Sequence, residues 1–133
     1  MKLVLDTHAL LWFVGDSPRL GRRSRQLTAA ALNDQRLCVS SISFWEIAML
    51  SGRTRFGSTA PPSELRADML AGGIHELPLT GEAAIAAAGF GLHGDPADRL
   101  IAATAWVAEA TLVTADERLL EWEHPLRRHD ARR

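Results

Sequence analysis

Met1-Lys2-Leu3-Val4-Leu5-Asp6-Thr7-His8-Ala9-Leu10-Leu11-Trp12 is the stretch whose reading decides the fold. Leu3, Val4 and Leu5 form a short apolar run of the kind that makes a buried strand. The run stops at Asp6, after which Leu10, Leu11 and Val14 recur at helical spacing. The order is strand, carboxylate, helix. In open parallel sheets, ligands bind beyond the carboxyl ends of the strands, and Asp6 stands at such an end.

The same pattern recurs along the chain. Arg22 to Leu32 reads as a helix stopped by Asn33-Asp34. Leu37-Cys38-Val39 reads as a second strand, followed by an almost wholly apolar helix from Phe44 to Leu50. Gly52 to Pro62 is the most loop-like stretch. Ser63 to Leu70 is helical and closed by Gly72-Gly73, and Ile74 to Leu77 is a weaker strand. Thr80 caps an alanine-rich helix, Ala83 to Ala88. Ala97 to Glu109 is amphipathic, with Leu100, Ile101, Thr104, Ala105 and Ala108 on one stripe. Thr111 to Thr114 is a fourth strand and Glu117 to Trp122 a short helix. Leu126 to His129 is a candidate edge strand. Short strands separated by helices predict an α/β fold, a parallel sheet with helices on both faces.

A chain of 133 residues fits one domain over 1–133 and can bury a core without metal or disulfide staples. The single cysteine, Cys38, lies in an apolar run without a partner, which suits a reducing, cytoplasmic setting. Asp6 and His8 interrupt any early hydrophobic segment, so no signal peptide is expected. No apolar run approaches the length of a membrane span. The formal charge of -1 predicts no general affinity for nucleic acid. Of the 15 basic residues all but Lys2 are arginines. They cluster at Arg19/Arg22/Arg23/Arg25, at Arg53/Arg55 and at Arg127/Arg128/Arg132/Arg133, as a solvated face or as phosphate contacts.

Four acids stand at comparable junctions: Asp6, Glu46, Asp98 and Asp116. Each has a purely structural explanation. Asp6 and Asp116 can cap the helices after them. Ser43-x-x-Glu46 fits a capping box. Asp95-Pro96-Ala97-Asp98 fits an N-cap, a proline at the first helical position and an acid in the first turn. Two points favour chemistry. Glu46 is the only charge in Phe44 to Leu50, and acids are seldom buried unless paired or metal-bound. Acids at strand-to-helix junctions of a parallel sheet also gather on one rim, where they repel unless a cation lies among them. Oxygen ligands suit Mg2+ or Mn2+, and such a site suits phosphodiester hydrolysis.

Four segments carry a resemblance. Leu5 to Trp12, Ile42-Ser43-Phe44-Trp45-Glu46-Ile47-Ala48, Asp95 to Ala103 and Leu112-Val113-Thr114-Ala115-Asp116 resemble, in order, the signature segments of the PIN-domain ribonucleases, the VapC-type toxins of bacterial toxin–antitoxin pairs above all. The resemblance implies a three-layer α/β/α sandwich around a parallel sheet of four or five strands. It implies that Asp6, Glu46, Asp98 and Asp116 hold Mg2+ or Mn2+ and that Asp95 is an auxiliary acid. Thr7 and Thr114 would then support the shell by hydrogen bonds. It leaves open whether Asp95 or Asp98 is the closer ligand. It implies cleavage of RNA, a homodimer and a small cognate antitoxin. His8 and Arg99 are candidates for substrate contact. The other histidines, His75, His93, His124 and His129, show no metal-ligand spacing. Trp12, Trp45 and Trp106 are core or interface residues, with base stacking the sharper alternative.

The rivals are weaker. A phosphorelay receiver needs a lysine near a late strand, and the only lysine is Lys2. A haloacid-dehalogenase-type phosphatase needs an aspartate where His8 stands. A domain that binds RNA or a partner without turnover, and a metal-dependent single-strand DNA nuclease, remain as alternatives.

Overall fold

A computed structural model describes residues 1–50, 60–92 and 94–133. The Arg53/Arg55 pair, His93 and most of the Gly52 to Pro62 loop lie outside the described residues. Among the described residues one sheet holds five strands: β1 (Leu3–Leu5), β2 (Leu37–Ser40), β3 (His75–Leu77), β4 (Thr111–Thr114) and β5 (Arg128–Asp130). All neighbours pair in parallel, in the order β3-β2-β1-β4-β5. Seven helices accompany them: α1 (Thr7–Val14), α2 (Arg22–Asn33), α3 (Ser41–Leu50), α4 (Pro62–Ala71), α5 (Gly81–Ala88), α6 (Pro96–Val107) and α7 (Glu117–Glu121). None of the described helices is long and apolar enough to cross a membrane.

Strand alternation divides the core. Leu3, Leu5, Leu37, Val39 and Val113 point to one face, where Leu10, Ala31, Ile47 and Met69 from α1 to α4 cover them. Val4, Cys38 and Leu112 point to the other face, beneath Ile101, Ala102 and Ala105 of α6 and Leu119 of α7. The result is helix, sheet, helix, with α5 laid against α6 through Ala83, Ala87 and Ala103.

Several boundaries differ from the sequence reading, each for a local reason. The stripe on α6 is wider than predicted, Ile101 to Ala105 all being buried, because this helix faces the sheet on one side and α5 on another. It stops at Val107, since Glu109 turns to a φ of 54°. The last strand begins later than expected: Leu126 joins the core instead, and Arg128–Asp130 pairs with β4. The helix after β2 begins at Ser41 with no loop, the Ser40 hydroxyl accepting from the Ile42 N–H at 3.1 Å. Ser43 and Glu46 therefore lie inside α3, which rules out the capping box.

The end of the chain is clasped to α2. Ser24 Oγ reaches the Asp130 and Arg133 carbonyls at 3.1 and 2.9 Å. Gly21, which precedes α2, has room only for hydrogen, since a Cβ there would overlap the Arg133 backbone.

The chain runs from β1 outward to β2 and β3, then crosses to β4 and β5. The order reverses between β1 and β4, the place where such sheets bind ligands. Leu5 pairs with both Val39 and Val113, so Asp6, Ser40 and Thr114 leave the sheet side by side.

Candidate active site

At that reversal lies a cleft of about 450 Å³, lined by Asp6, Glu46, Asp95, Asp98 and Asp116 together with Thr7, His8, Trp12 and Arg118. Three of the acids are also helix caps. Asp6 Oδ1 accepts from the Ala9 N–H at 2.9 Å, Asp95 Oδ1 from Ala97 at 3.0 Å and Asp116 Oδ1 from Arg118 at 2.8 Å. Capping and gathering are thus one geometry: a cap holds each carboxylate beside a helix N-terminus, on the same rim of the sheet.

Glu46 and Asp98 arrive differently. Glu46 projects from the second turn of α3, and the buried Thr7 hydroxyl holds it, Oγ1 to Oε1 2.5 Å. Thr7 Oγ1 also lies 2.9 Å from the fully buried Ser43 Oγ, which anchors α1 to α3 beneath the acids. Asp98, in the first turn of α6, reaches the rim because the chain from α5 returns there. Thr114, fully buried, takes the Asp116 N–H on its oxygen at 3.0 Å and gives its side-chain hydrogen bond to Asp6.

The electrostatics are those of crowded carboxylates. Burial pushes Asp6 above its ordinary pKa, opposed by hydrogen bonds from Thr114 and Ala9. Burial also raises Glu46, the Thr7 hydroxyl opposing it and Asp95 and Asp6 adding to it. Asp98 is pushed up to about 7, by burial and then by the charge and shared hydrogen bond of Asp116. Like charges at contact disfavour the ionised form of Asp98.

A pH dependence follows. Asp98 binds a proton more tightly folded than unfolded, so its contribution is full below about pH 4 and is lost as pH rises toward 7. Asp130, beside Arg132, is instead held down to about 2, and that stability is lost as pH falls below 4. Cation-free protein is therefore expected to be most stable near pH 4, and to lose about 2 kcal/mol between pH 5 and pH 8. Thermal melts in chelator across that range measure it; a flat profile would contradict the raised Asp98 pKa.

The donor set fits a hard divalent cation. It is all oxygen and acidic, and burial first, then neighbouring carboxylates, raise Asp6, Glu46 and Asp98. Among the described residues no three Asp, Glu, His or Cys side chains are grouped so that they could hold a metal ion by themselves. Small hard cations do not need such a group: they keep several waters and take one or two carboxylates plus substrate oxygens.

The substrate candidates divide. His8 lines the cleft. Arg99 does not; it lines a separate groove with Ala84, Ala88 and Leu100, against α5. One residue along a helix turns the side chain by about 100°, so a neighbour of Asp98 cannot share its face. The cleft's arginine is Arg118, missed in the sequence. Its Nε is 3.6 Å from Asp116 Oδ1 and its Nη2 is 3.9 Å from Asp98 Oδ2. Gly94, at a φ of 113° that favours glycine, lies against that guanidinium. Asp116-x-Arg118 was the available signal: an arginine just past a junction acid, in the first turn of the following helix. Of the tryptophans, Trp12 lines the cleft, while Trp45 and Trp106 are exposed away from it.

The chain is similar to known proteins in sequence and in fold. The chain matches the PIN domain over residues 3–124. It is 34% identical over 125 residues to Ribonuclease VapC22 of Mycobacterium tuberculosis, covering 92% of this chain and 93% of that one. Its fold is similar to that of a DNA-bound VapBC structure from Salmonella typhimurium, with a TM-score of 0.72, 23% identity and 98% of each chain covered. A toxin-antitoxin complex from Klebsiella pneumoniae is also similar, at a TM-score of 0.57, 19% identity and 86% and 87% coverage.

Proposed function

The chain belongs to the PIN-domain family, and from that premise we propose that it is an endoribonuclease dependent on Mg2+ or Mn2+ and the toxin of a toxin–antitoxin pair. Residues 1–133 are read as one nuclease domain acting in the cytoplasm. The observation that carries the reading is the convergence of Asp6, Glu46, Asp98 and Asp116 on one cleft at the β1–β4 reversal. The relative named as a ribonuclease supports the choice of substrate.

Asp6, Glu46, Asp98 and Asp116 would hold the cation, with Asp95 as auxiliary acid. When bound, the cation lowers the pKa of a water and neutralises charge that builds on the phosphate. The chain supplies the rest. Thr7 fixes the Glu46 carboxylate and Thr114 fixes Asp6, so neither must reorganise during the reaction. Arg118, more than half exposed and 3.6 and 3.9 Å from Asp116 and Asp98, is placed at the cleft to meet a phosphate oxygen. His8 can donate a hydrogen bond to the substrate from beside Asp6, and Trp12 offers a face for a base.

The proposed protein partners are a second copy of the chain and a small antitoxin bound over the cleft. Trp45 and Met49, one turn apart on α3, are 56% and 62% exposed and form an apolar patch that a partner would cover. Light scattering at micromolar concentration is the check on the dimer, and a stable monomer would refute it.

The experiment that tests the function offers single-stranded RNA and the matching DNA to wild type and to Glu46→Gln, in Mg2+ and in chelator. RNA should be cut only by wild type and only in Mg2+. Equal cutting of DNA would make the protein a general single-strand nuclease. Binding without cutting would make it an RNA-binding module.

A further inference from the structure

The net charge of -1 conceals a separation. The acids stand at the carboxyl ends of the strands, and the amino ends carry the opposite sign. Lys2 precedes β1, Arg36 precedes β2, Arg127 precedes β5 and Arg128 opens it. In a parallel sheet these entry points share one rim, and together with His129 and Leu27 they line a groove of about 530 Å³ whose lining holds no carboxylate.

Not all of these cations are available. Arg128 spends its guanidinium on the Leu119, Trp122 and His124 carbonyls at 2.7–3.0 Å. Arg36 is half committed, to the Met1 carbonyl and to Asp34 at 3.1 Å. Lys2 and Arg127 are exposed, and among the described residues neither has a carboxylate within ion-pair distance. Arg127 instead rests its Nη1 3.6 Å from the Met1 sulfur. The adjoining hollow, which shares Met1 and Arg127, contains Glu82 and Glu109. The positive field is therefore confined to the Lys2–Arg36 side.

We infer that this groove is a second nucleic-acid contact, a site for the phosphate backbone of single-stranded RNA on the rim opposite the acidic cleft. The inference rests on RNA being the substrate. Strands of three or four residues separate the two rims by roughly 10–13 Å along the sheet, so an RNA chain engaged at the cleft can continue around the molecule to reach the groove. Lys2 and Arg127, with Arg36 beside them, set around one hollow, fit successive phosphates of a strand. The contact would be indifferent to sequence, since phosphates position a strand without reading it. It would also compensate for the cleft, whose own charge repels RNA.

The test is anisotropy of a labelled 20-nucleotide single-stranded RNA in chelator, across a salt series. It compares wild type, Lys2→Gln/Arg127→Gln, the charge-keeping Lys2→Arg/Arg127→Lys, and Arg19→Gln/Arg22→Gln as a control elsewhere on the surface. Two lost phosphate contacts should reduce the slope of log K against log salt by about 1.4. Affinity at low salt should fall about 10-fold. The charge-keeping variant should bind as wild type, and so should the control. Cleavage of a tetranucleotide in Mg2+ should be unchanged in all four proteins. A slope unchanged in Lys2→Gln/Arg127→Gln, or a control that loses as much, overturns the inference. Rim-dependent binding without any cleavage would sink the nuclease reading and leave the groove. Cleavage with rim-independent binding would do the reverse.

Discussion

Asp6→Asn is expected to reduce cleavage by roughly 10²-fold or more, and yet to melt, in chelator, at or above the wild-type temperature. The loss of activity is the minimum for a ligand, since even supporting residues around a metal cost 10–100-fold. The stability follows from three contacts. The Ala9 N–H that caps on Asp6 Oδ1 at 2.9 Å finds an equivalent oxygen on Asn, which caps as well as Asp. The Thr114 hydroxyl can share that oxygen, whose two lone pairs accept two hydrogen bonds. What disappears is a charge that burial and Asp116 disfavour. Mg2+ at millimolar concentration should then raise the wild-type melting temperature, by mass action on the folded state, and barely move the variant. If the variant melts clearly lower in chelator and both proteins ignore Mg2+, Asp6 is only a cap.

Thr7→Val should cost 10–100-fold in cleavage, the scale expected of a group that orients a metal ligand. Valine matches the shape of threonine but offers Glu46 no donor. The carboxylate then loses its 2.5 Å contact, and with it the main interaction opposing the rise in its pKa. The variant's pH–rate profile should therefore shift its acid limb upward. Thr7→Ser keeps the hydroxyl and should retain most of the activity. A Thr7→Val enzyme of normal rate and unshifted profile would show that Glu46 needs no orientation.

The junction acids were legible in the sequence because a cap and a ligand require the same residue at the same place. Asp6, Asp95 and Asp116 each close a helix N-terminus while facing the cleft. Glu46 was legible for another reason, as a lone charge in an apolar helix. The capping box around it was an error of register. β2 passes into α3 without a loop, and nothing in Ser40-Ser41-Ile42-Ser43 says which serine begins the helix. Arg99 lines a groove apart from the acids because adjacency to Asp98 in sequence is separation on a helix. Arg118 belongs to the cleft because it stands in the first turn of the helix after Asp116, a signal that a search for acids alone passes over. β5 was placed early because Leu126 is apolar, whereas the strand itself, Arg-His-Asp, carries no strand signal. Its pairing with β4 and the clasp on Ser24 hold it in place.

The account stands or falls on how the phosphodiester is cut. The direct measurement is end-group analysis of RNA fragments from wild-type protein, with Mg2+ and with chelator. Attack by water at the acidic cleft predicts a 5′-phosphate and a 3′-hydroxyl, formed only when the cation is present. Fragments ending in a 2′,3′-cyclic phosphate, or full activity in chelator, would mean that the RNA's own hydroxyl attacks and that the four carboxylates are not the catalytic centre.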